Sequence, residues 1–167
     1  MTDTMSARTG PEDGPRPEGI RITFDSGESA AFELLWDDAP DTCAILSANL
    51  PESGDAVHAI YSGTVVGVLF DPTVEAPIQN ATTCHVPGDL IWMHYPPFSR
   101  FAHPEAVSEI YWAYDRHARS VMPGQFVTIA ASVFATYAGD ADEWARFAAR
   151  SGKVRWEGSA RVAMSVY

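Results

Sequence analysis

The sequence has few basic residues, few cysteines and no long hydrophobic run. Its 167 residues include 11 Lys or Arg against 22 Asp or Glu, which gives a formal net charge of −11. Because an acidic surface repels phosphates, we expect neither nucleic acid nor an anionic membrane as a partner. No apolar run approaches the ~20 residues of a membrane helix, and the first residues lack the apolar core of a secretory signal. These absences favour a cytoplasmic protein.

The cysteines and histidines form no recognisable metal or nucleophile motif. Cys43 and Cys84 are too few for a disulfide scaffold, and we expect both to be reduced and buried. Cys84 precedes His85, but neighbouring side chains on an extended chain point to opposite faces, so they are not a nucleophile with its base. The five histidines lack the spacing of paired ligands. The sequence therefore predicts no metal and no cofactor.

Short strand patterns separated by turns run through most of the chain. Residues 1–19 carry little to bury and predict a disordered tail, which leaves one domain over residues 20–167. Helices are predicted from Pro40 and over 139–152. About eight strands on so short a chain favour a closed, mostly β barrel, because closure removes exposed edges. The predicted strands are 20–24, 30–36, 56–63, 64–70, 89–95, 108–114, 125–134 and 160–167.

The order of these elements and several short motifs resemble the cyclophilin-like barrel. DDAPDT (37–42) resembles the loop that enters the helix after the second cyclophilin strand, and VHAI (57–60) and QFVTI (125–129) resemble two strand motifs. The chain is still more similar to a set of small bacterial proteins with this fold and no established function. This resemblance covers residues 20–167 and implies a closed cyclophilin-like barrel with two helices. It rests on Asn80-Ala81-Thr82, Pro87-Gly88-Asp89, Tyr95-Pro96, Trp112-Ala113-Tyr114 and a closing Gly-x-Phe strand.

One departure from cyclophilin bears on catalysis. Prolyl isomerisation has a barrier of ~20 kcal/mol, and the resemblance implies an arginine that lowers it by hydrogen-bonding the prolyl nitrogen. The corresponding residue here is Ala59, which has no side-chain donor. Arg100, Arg116 or Arg119 would have to reach in from a loop. The sequence therefore argues against ordinary prolyl isomerase activity and leaves other enzyme activity open.

Two predicted strands place aromatic side chains on single faces. Trp92 and His94 alternate on one strand, and Trp112 and Tyr114 alternate on the other. If these strands pair, the four residues could form an aromatic patch with one titratable group. Such a patch suits a ligand site, an oligomer interface or plain packing. In the first case His94 is a candidate general base.

The segment DRHARSVMPG (115–124) is the densest cationic stretch of this acidic chain. Arg116 and Arg119 offer paired donors to a carboxylate, and His117 between them is a second candidate base. The alternative is weak surface pairing with the protein's own acidic residues. Because loops carry function more often than barrel walls, we expect this loop to bind a small anion.

Three hypotheses for function follow from these features. The first is a binding module whose barrel mouth holds a small acidic molecule or an extended peptide through the cationic loop and the aromatic patch. The second is an enzyme, either a weak isomerase or a small-amide hydrolase or lyase, with His94 or His117 as base. The third is a homo-oligomer in which the patch is only an interface. Fold resemblance does not choose among them.

Overall fold

A computed structural model describes residues 16–125 and 127–167. Most of the predicted tail (residues 1–15) and the Phe of the Gly-x-Phe motif lie outside the described residues. The elements are β1 (Gly19–Phe24), β2 (Ser29–Leu34), α1 (Pro40–Ala48), β3 (Ser53–His58), a short 3-10 helix (Ile60–Ser62), β4 (Val65–Leu69), β5 (Ala81–Thr82), β6 (Asp89–Tyr95), β7 (Val107–Ala113), β8 (Val121–Met122), β9 (Val127–Thr128), β10 (Ala131–Tyr137), α2 (Ala141–Glu157) and β11 (Ser159–Val166).

Eight antiparallel strands close into a barrel. Their order around the barrel is β2-β1-β11-β3-β4-β7-β6-β10, and β10 pairs back onto β2. Strand β5 adds to β10, and β8 and β9 form a separate hairpin. The predicted fold class, a mostly β closed barrel of about eight strands with two helices, is confirmed.

Each of the two helices begins with a residue that suits a helix N-terminus. In α1, Pro40 occupies the first turn, where its missing N–H costs no hydrogen bond. In α2, the Asp140 side chain accepts hydrogen bonds from the backbone N–H groups of Asp142 and Glu143, as expected of a helix cap. Both helices add apolar side chains to the barrel core: Cys43 and Leu46 from α1, and Phe147 and Val154 from α2.

The barrel wall has buried side chains on both faces along β6 and β7. On β6, Leu90 and Trp92 belong to the interior core, whereas Ile91, Met93 and Tyr95 face outward. The outward face is covered by residues from the segment 115–130, among them Ala118, Met122 and Ile129. This covering layer explains why both strands are apolar on both faces, and it creates the space in which a site can form.

Two expectations from the sequence are corrected. Residues 125–134 do not form one strand, because β9 ends at Thr128 and β10 begins at Ala131. The chain leaves the small β8–β9 hairpin there and joins the barrel wall. Cys43 is buried as expected, but Cys84 is exposed, and neither forms a disulfide. Cys84 lies in the loop before β6, bridged to Arg119, rather than in the core.

Candidate functional site

A cavity of about 170 Å³ lies against the outward face of the barrel wall. Its floor is formed by strands β4, β6 and β7, and its rim by the 3-10 helix and the loop that follows β6. We call it the outer-wall cavity, lined among others by Ala59, Gly67, Tyr95, Arg100, Glu109 and Tyr111. It combines apolar walls with one basic and one acidic side chain, and a few polar groups among apolar walls are the usual composition of a small-molecule site.

Strand pairing places Gly67, Glu109 and Tyr111 on the floor of this cavity. Glu109 and Tyr111 are two residues apart on β7 and therefore share its outward face. Gly67 pairs with Tyr111, and a Cβ added to Gly67 would lie 2.6 Å from the Tyr111 Cβ. A larger residue at Gly67 would therefore push β4 away from β7, so the glycine keeps the floor closed.

Glu109 is the chemically distinctive group of the cavity. Its Oε1 accepts a 2.5 Å hydrogen bond from the Tyr95 hydroxyl. Burial raises the pKa of Glu109, and the Tyr95 hydrogen bond and the Arg100 charge offset part of that rise. Burial and the nearby Glu109 also raise the pKa of Tyr95, so the phenol stays protonated as donor. A carboxyl with a raised pKa in a cleft is a marker of functional sites.

Arg100 supplies the positive charge of the cavity. Its guanidinium carbon lies 6.0 Å from the centre of the Tyr95 ring. Within residues 16–125 and 127–167, its Nε has no hydrogen-bond partner, and no ion pair includes it. Its charge lowers the pKa of Glu109 without forming a close ion pair with that carboxyl, so the guanidinium keeps donors for an anion from solution.

The rim of the cavity is aromatic. The rings of Tyr61 and Phe101 lie 6.2 Å apart, and both side chains are about half exposed. Behind them, the His58 Nε2 lies 2.8 Å from the Tyr114 hydroxyl. Burial, with a smaller effect from Arg155, lowers the pKa of His58. His58 is therefore neutral at neutral pH, and Arg100 carries the positive charge of the cavity.

The predicted aromatic patch does not form, although its two strands do pair. The register is antiparallel: Trp112 lies opposite Leu90, whereas His94 lies opposite Ser108. At ~3.4 Å per residue, Tyr114 is roughly 20 Å along the strand from His94. Trp112 is instead buried against Phe147 of α2, with ring centroids 5.6 Å apart. Trp92 and His94 stay together, stacked at 6.2 Å, at the opposite end of β6 and β7.

The predicted cationic loop adds no side chain to the outer-wall cavity, although its backbone touches the rim: the Arg119 N–H donates a 3.0 Å hydrogen bond to the carbonyl of Ser62, a lining residue. Arg116, His117 and Arg119 are all exposed, and none of them lines this cavity. His117 has a φ of 71°, and its carbonyl oxygen packs on Gly63, so its backbone serves as a turn. Of the three arginines considered for isomerase chemistry, Arg100 is the one that shares a cavity with Ala59.

The sequence prediction missed Glu109. The signal was present, because Glu109 is a lone carboxylate on a strand whose neighbours on the same face are Val107 and Tyr111. An acidic residue on a face that is otherwise apolar must be paired, protonated or functional. Arg100 was named only as a residue that might reach an isomerase site, because its position depends on a loop that no periodicity describes.

A Ser–His–Asp set lies behind Tyr111 but has no access to substrate. The His85 Nε2 is 2.6 Å from the Ser120 Oγ, which is 2.7 Å from the Tyr111 hydroxyl. Ser120 is only 1 % exposed, and Asp89 is 3.9 Å from the His85 Nδ1, too far for a hydrogen bond. These residues form a buried polar network that supports the cavity floor.

In the described part of the chain, no group of three or more His, Cys, Asp or Glu side chains is placed to hold a metal ion. Helices in that same part are too short or too polar to cross a membrane.

Comparison with protein families gives a match over nearly all of the barrel. The family model described as protein of unknown function (DUF3830) covers residues 22–166. The chain belongs to this family. The matched range contains the three strands of the cavity floor, β4, β6 and β7, and every residue named above as lining the outer-wall cavity. No curated protein matches this DUF3830 chain.

Two solved structures resemble the DUF3830 chain in fold. One is described as McbB in complex with tryptophan, with a TM-score of 0.60 and 17% sequence identity over 87% of this chain. The chain spans only 44% of the length of that protein. The other is a solution structure of the hypothetical protein AF2241 from Archaeoglobus fulgidus. It has a TM-score of 0.50 and 16% identity, and the similarity covers 94% of this chain and 100% of that one. At these identities the likeness concerns the fold alone.

Proposed function

We propose that this DUF3830 chain binds a small molecule carrying one carboxylate on an apolar body, and that it does so in the outer-wall cavity. The observation that carries the proposal is the guanidinium of Arg100, which forms no close ion pair among the described residues, in a cavity that also holds Glu109. A guanidinium can hold a carboxylate through two parallel hydrogen bonds. Tyr61 and Phe101 offer aromatic surface to the rest of the ligand.

This proposal keeps the ligand class expected from the sequence and changes its place. The sequence put a small acidic molecule or an extended peptide at the barrel mouth, on Arg116, Arg119, His117 and the aromatic patch. Those two arginines are exposed to solvent, where an ion pair contributes little to affinity. Arg100 is partly buried, where the same contact contributes more. A cavity of about 170 Å³ also favours a compact molecule over an extended peptide.

The protonation state of Glu109 would control anion binding. When Glu109 is protonated it is neutral and can donate a hydrogen bond to the ligand carboxylate. When it is ionised, its charge repels the ligand across the cavity. Because burial raises the pKa of Glu109, the protonated form persists to higher pH than in a solvent-exposed glutamate. Tyr95, which already donates to Glu109, holds the carboxyl in place.

The first test compares Arg100→Gln with Arg116→Gln, using benzoate as ligand and its neutral analogue benzamide as control. Each substitution removes one positive charge, so the change in long-range electrostatics is matched. We expect calorimetry to show that wild type binds benzoate more tightly than benzamide. Arg100→Gln should weaken benzoate by about 30-fold or more, because a partly buried charge contact is lost. Arg116→Gln should bind benzoate as wild type does.

Two outcomes would contradict the proposal. In one, Arg116→Gln weakens benzoate and Arg100→Gln does not, which would return the site to the cationic loop. In the other, the folded wild-type protein binds neither probe at millimolar concentration.

A further inference from the structure

The C-terminal part of α2 concentrates positive charge on an acidic chain. Residues 146–157 contain four of the chain's 11 basic residues against one acidic residue, so this stretch carries +3 whereas the whole chain carries −11. One of the four, Arg150, forms an ion pair with Glu157 at 2.9 Å. The other three basic side chains are exposed and have no close ion pair within residues 16–125 and 127–167: Arg146, Lys153 and Arg155.

The same part of the helix exposes a tryptophan. Trp156 is 82% exposed, whereas the other four tryptophans of the chain are buried or half-buried. The Arg155 guanidinium carbon lies 5.3 Å from the centre of the Trp156 ring, which is a cation–π contact. Tryptophan and arginine are enriched among the residues that dominate binding energy at protein interfaces. An exposed pair of this kind is therefore typical of a surface that a partner covers.

The exposed side chains follow one face of the helix. Arg146, Lys153 and Trp156 recur at i, i+7 and i+10, which places them on the same side of α2. Together with Arg155, they form what we call the α2 basic face. From Arg146 to Trp156 the helix rises about 15 Å, a length that an extended chain covers with about five residues. The buried side chains of α2 lie on the other side of the helix: Phe147, Ser151 and Val154.

Interactions within the chain explain only part of this charge. Arg155 lies in the last turn, where a cation interacts favourably with the helix dipole. The pKa of Glu28 is lowered mainly by a hydrogen bond from Ser26, with a smaller effect of Lys153, so Lys153 is near that carboxylate without a close ion pair. Neither effect accounts for Arg146, three turns before the end of the helix, or for the exposed indole.

The acidity of the rest of the chain limits what can cover the α2 basic face. Asp25 and Glu28 lie in the turn between β1 and β2, and Ser26 of the same turn accepts a 3.0 Å hydrogen bond from the Arg150 Nε. This acidic turn therefore lies directly beside the helix. A flat anionic membrane that reached α2 would also approach the turn and be repelled by it. A narrow chain can follow the helix without covering the turn.

We propose that the α2 basic face binds an extended acidic segment of another protein. Carboxylates of that segment pair with Arg146 and Lys153, and an apolar side chain packs on the Trp156 ring. The opposite charges of the helix and the segment bring the two together, and the contact with the indole fixes the position of the segment. The proposal does not depend on the outer-wall cavity, because none of these residues lines that cavity.

The test measures binding of the peptide Glu-Glu-Glu-Leu-Glu-Glu-Glu by calorimetry and by the fluorescence of Trp156. We expect wild type to bind it at least about fivefold more tightly than the same peptide with Gln in place of Glu. Arg146→Gln/Lys153→Gln should remove that preference. Arg116→Gln/Arg119→Gln, which removes the same charge from the exposed loop 115–124, should keep it.

A second variant tests the apolar contact separately from charge. Trp156→Ala should weaken the acidic peptide by about fivefold, and should have no such effect on a peptide with Ser in place of Leu. Because Trp156 is exposed, this variant should fold as wild type does.

Four outcomes would overturn the proposal. Wild type does not bind the acidic peptide, or the two double variants weaken it equally. Alternatively, wild type binds phosphatidylserine vesicles in preference to the peptide, which would make the partner a membrane. In the last, sedimentation shows wild-type self-association that Arg146→Gln/Lys153→Gln abolishes, which would make the partner a second copy of this chain.

Discussion

Trp112→Ala is expected to lower the free energy of unfolding by about 4 kcal/mol, which is within the range for truncating a buried aromatic side chain to alanine. Trp112 is fully buried and joins α2 to the barrel wall. Its ring packs 6.0 Å from Phe24 and 5.6 Å from Phe147, and its indole N–H donates a 2.9 Å hydrogen bond to the Ser151 Oγ. Removing the side chain leaves a cavity at the contact between two elements, and neither helix nor strand can close it.

Urea unfolding of three variants separates the contribution of Trp112 packing to stability from that of its hydrogen bond. Trp112→Phe keeps much of the packing and loses the hydrogen bond, so its loss should be about 1–2 kcal/mol. Trp156→Ala, at an exposed tryptophan of the same helix, should stay within about 0.5 kcal/mol of wild type. Equal losses for Trp112→Ala and Trp156→Ala would contradict the position of α2 in the fold.

The second large effect is loss of stability in acid through His85. The His85 ring is buried, and its Nε2 is hydrogen-bonded to Ser120. Burial lowers the pKa of His85 to about 4, whereas a histidine in the unfolded chain titrates near ~6.5. Below pH ~6.5 the unfolded chain therefore binds a proton that the folded chain does not, so stability falls as the pH falls. The loss should approach about 3 kcal/mol near pH ~4.

Other groups titrate over the same pH range, so the test compares variants. Asp89 lies 3.9 Å from the His85 Nδ1, and burial raises its pKa, which opposes the His85 effect. His85→Gln removes the histidine and leaves Asp89 in place. Between about pH 7 and pH 4, wild type should lose about 3 kcal/mol more than His85→Gln. His103→Gln, at an exposed histidine, should follow wild type. Identical pH profiles for wild type and His85→Gln would rule out a buried neutral His85.

Patterns local in sequence predicted much of the fold. Strand β6 has the bounds expected from its alternation, and α2 begins at the capping residue Asp140 as expected. These features depend on periodicity and on cap chemistry, which a single sequence displays.

The site was harder to predict because it depends on register and on loops. Strand pairing brings Trp92 opposite Ile110 rather than opposite Trp112. This register does not follow from the alternation pattern of either strand. Arg100 reaches Tyr95 from an irregular loop, and loop paths follow from tertiary contacts. The sequence could have identified Glu109 as a candidate, since a carboxylate on a strand face shared with Val107 and Tyr111 is unusual.

The outer-wall cavity offers the guanidinium of Arg100 and the titratable carboxyl of Glu109. Ligand binding in this cavity can therefore be coupled to a proton. The carboxylate site is the central claim, and its signature is the involvement of Glu109.

The most direct test of that claim is the affinity for benzoate as a function of pH in wild type and in Glu109→Gln. In wild type, affinity should fall by roughly tenfold or more as the pH rises and Glu109 ionises, because the ionised carboxylate repels the bound ligand. Because burial raises the pKa of Glu109, this fall should lie at higher pH than the titration of a solvent-exposed glutamate. In Glu109→Gln, which keeps the shape and cannot ionise, affinity should stay near its low-pH value apart from the smaller effect of His58. The same fall in both proteins would show that Glu109 does not meet the ligand and would contradict the account.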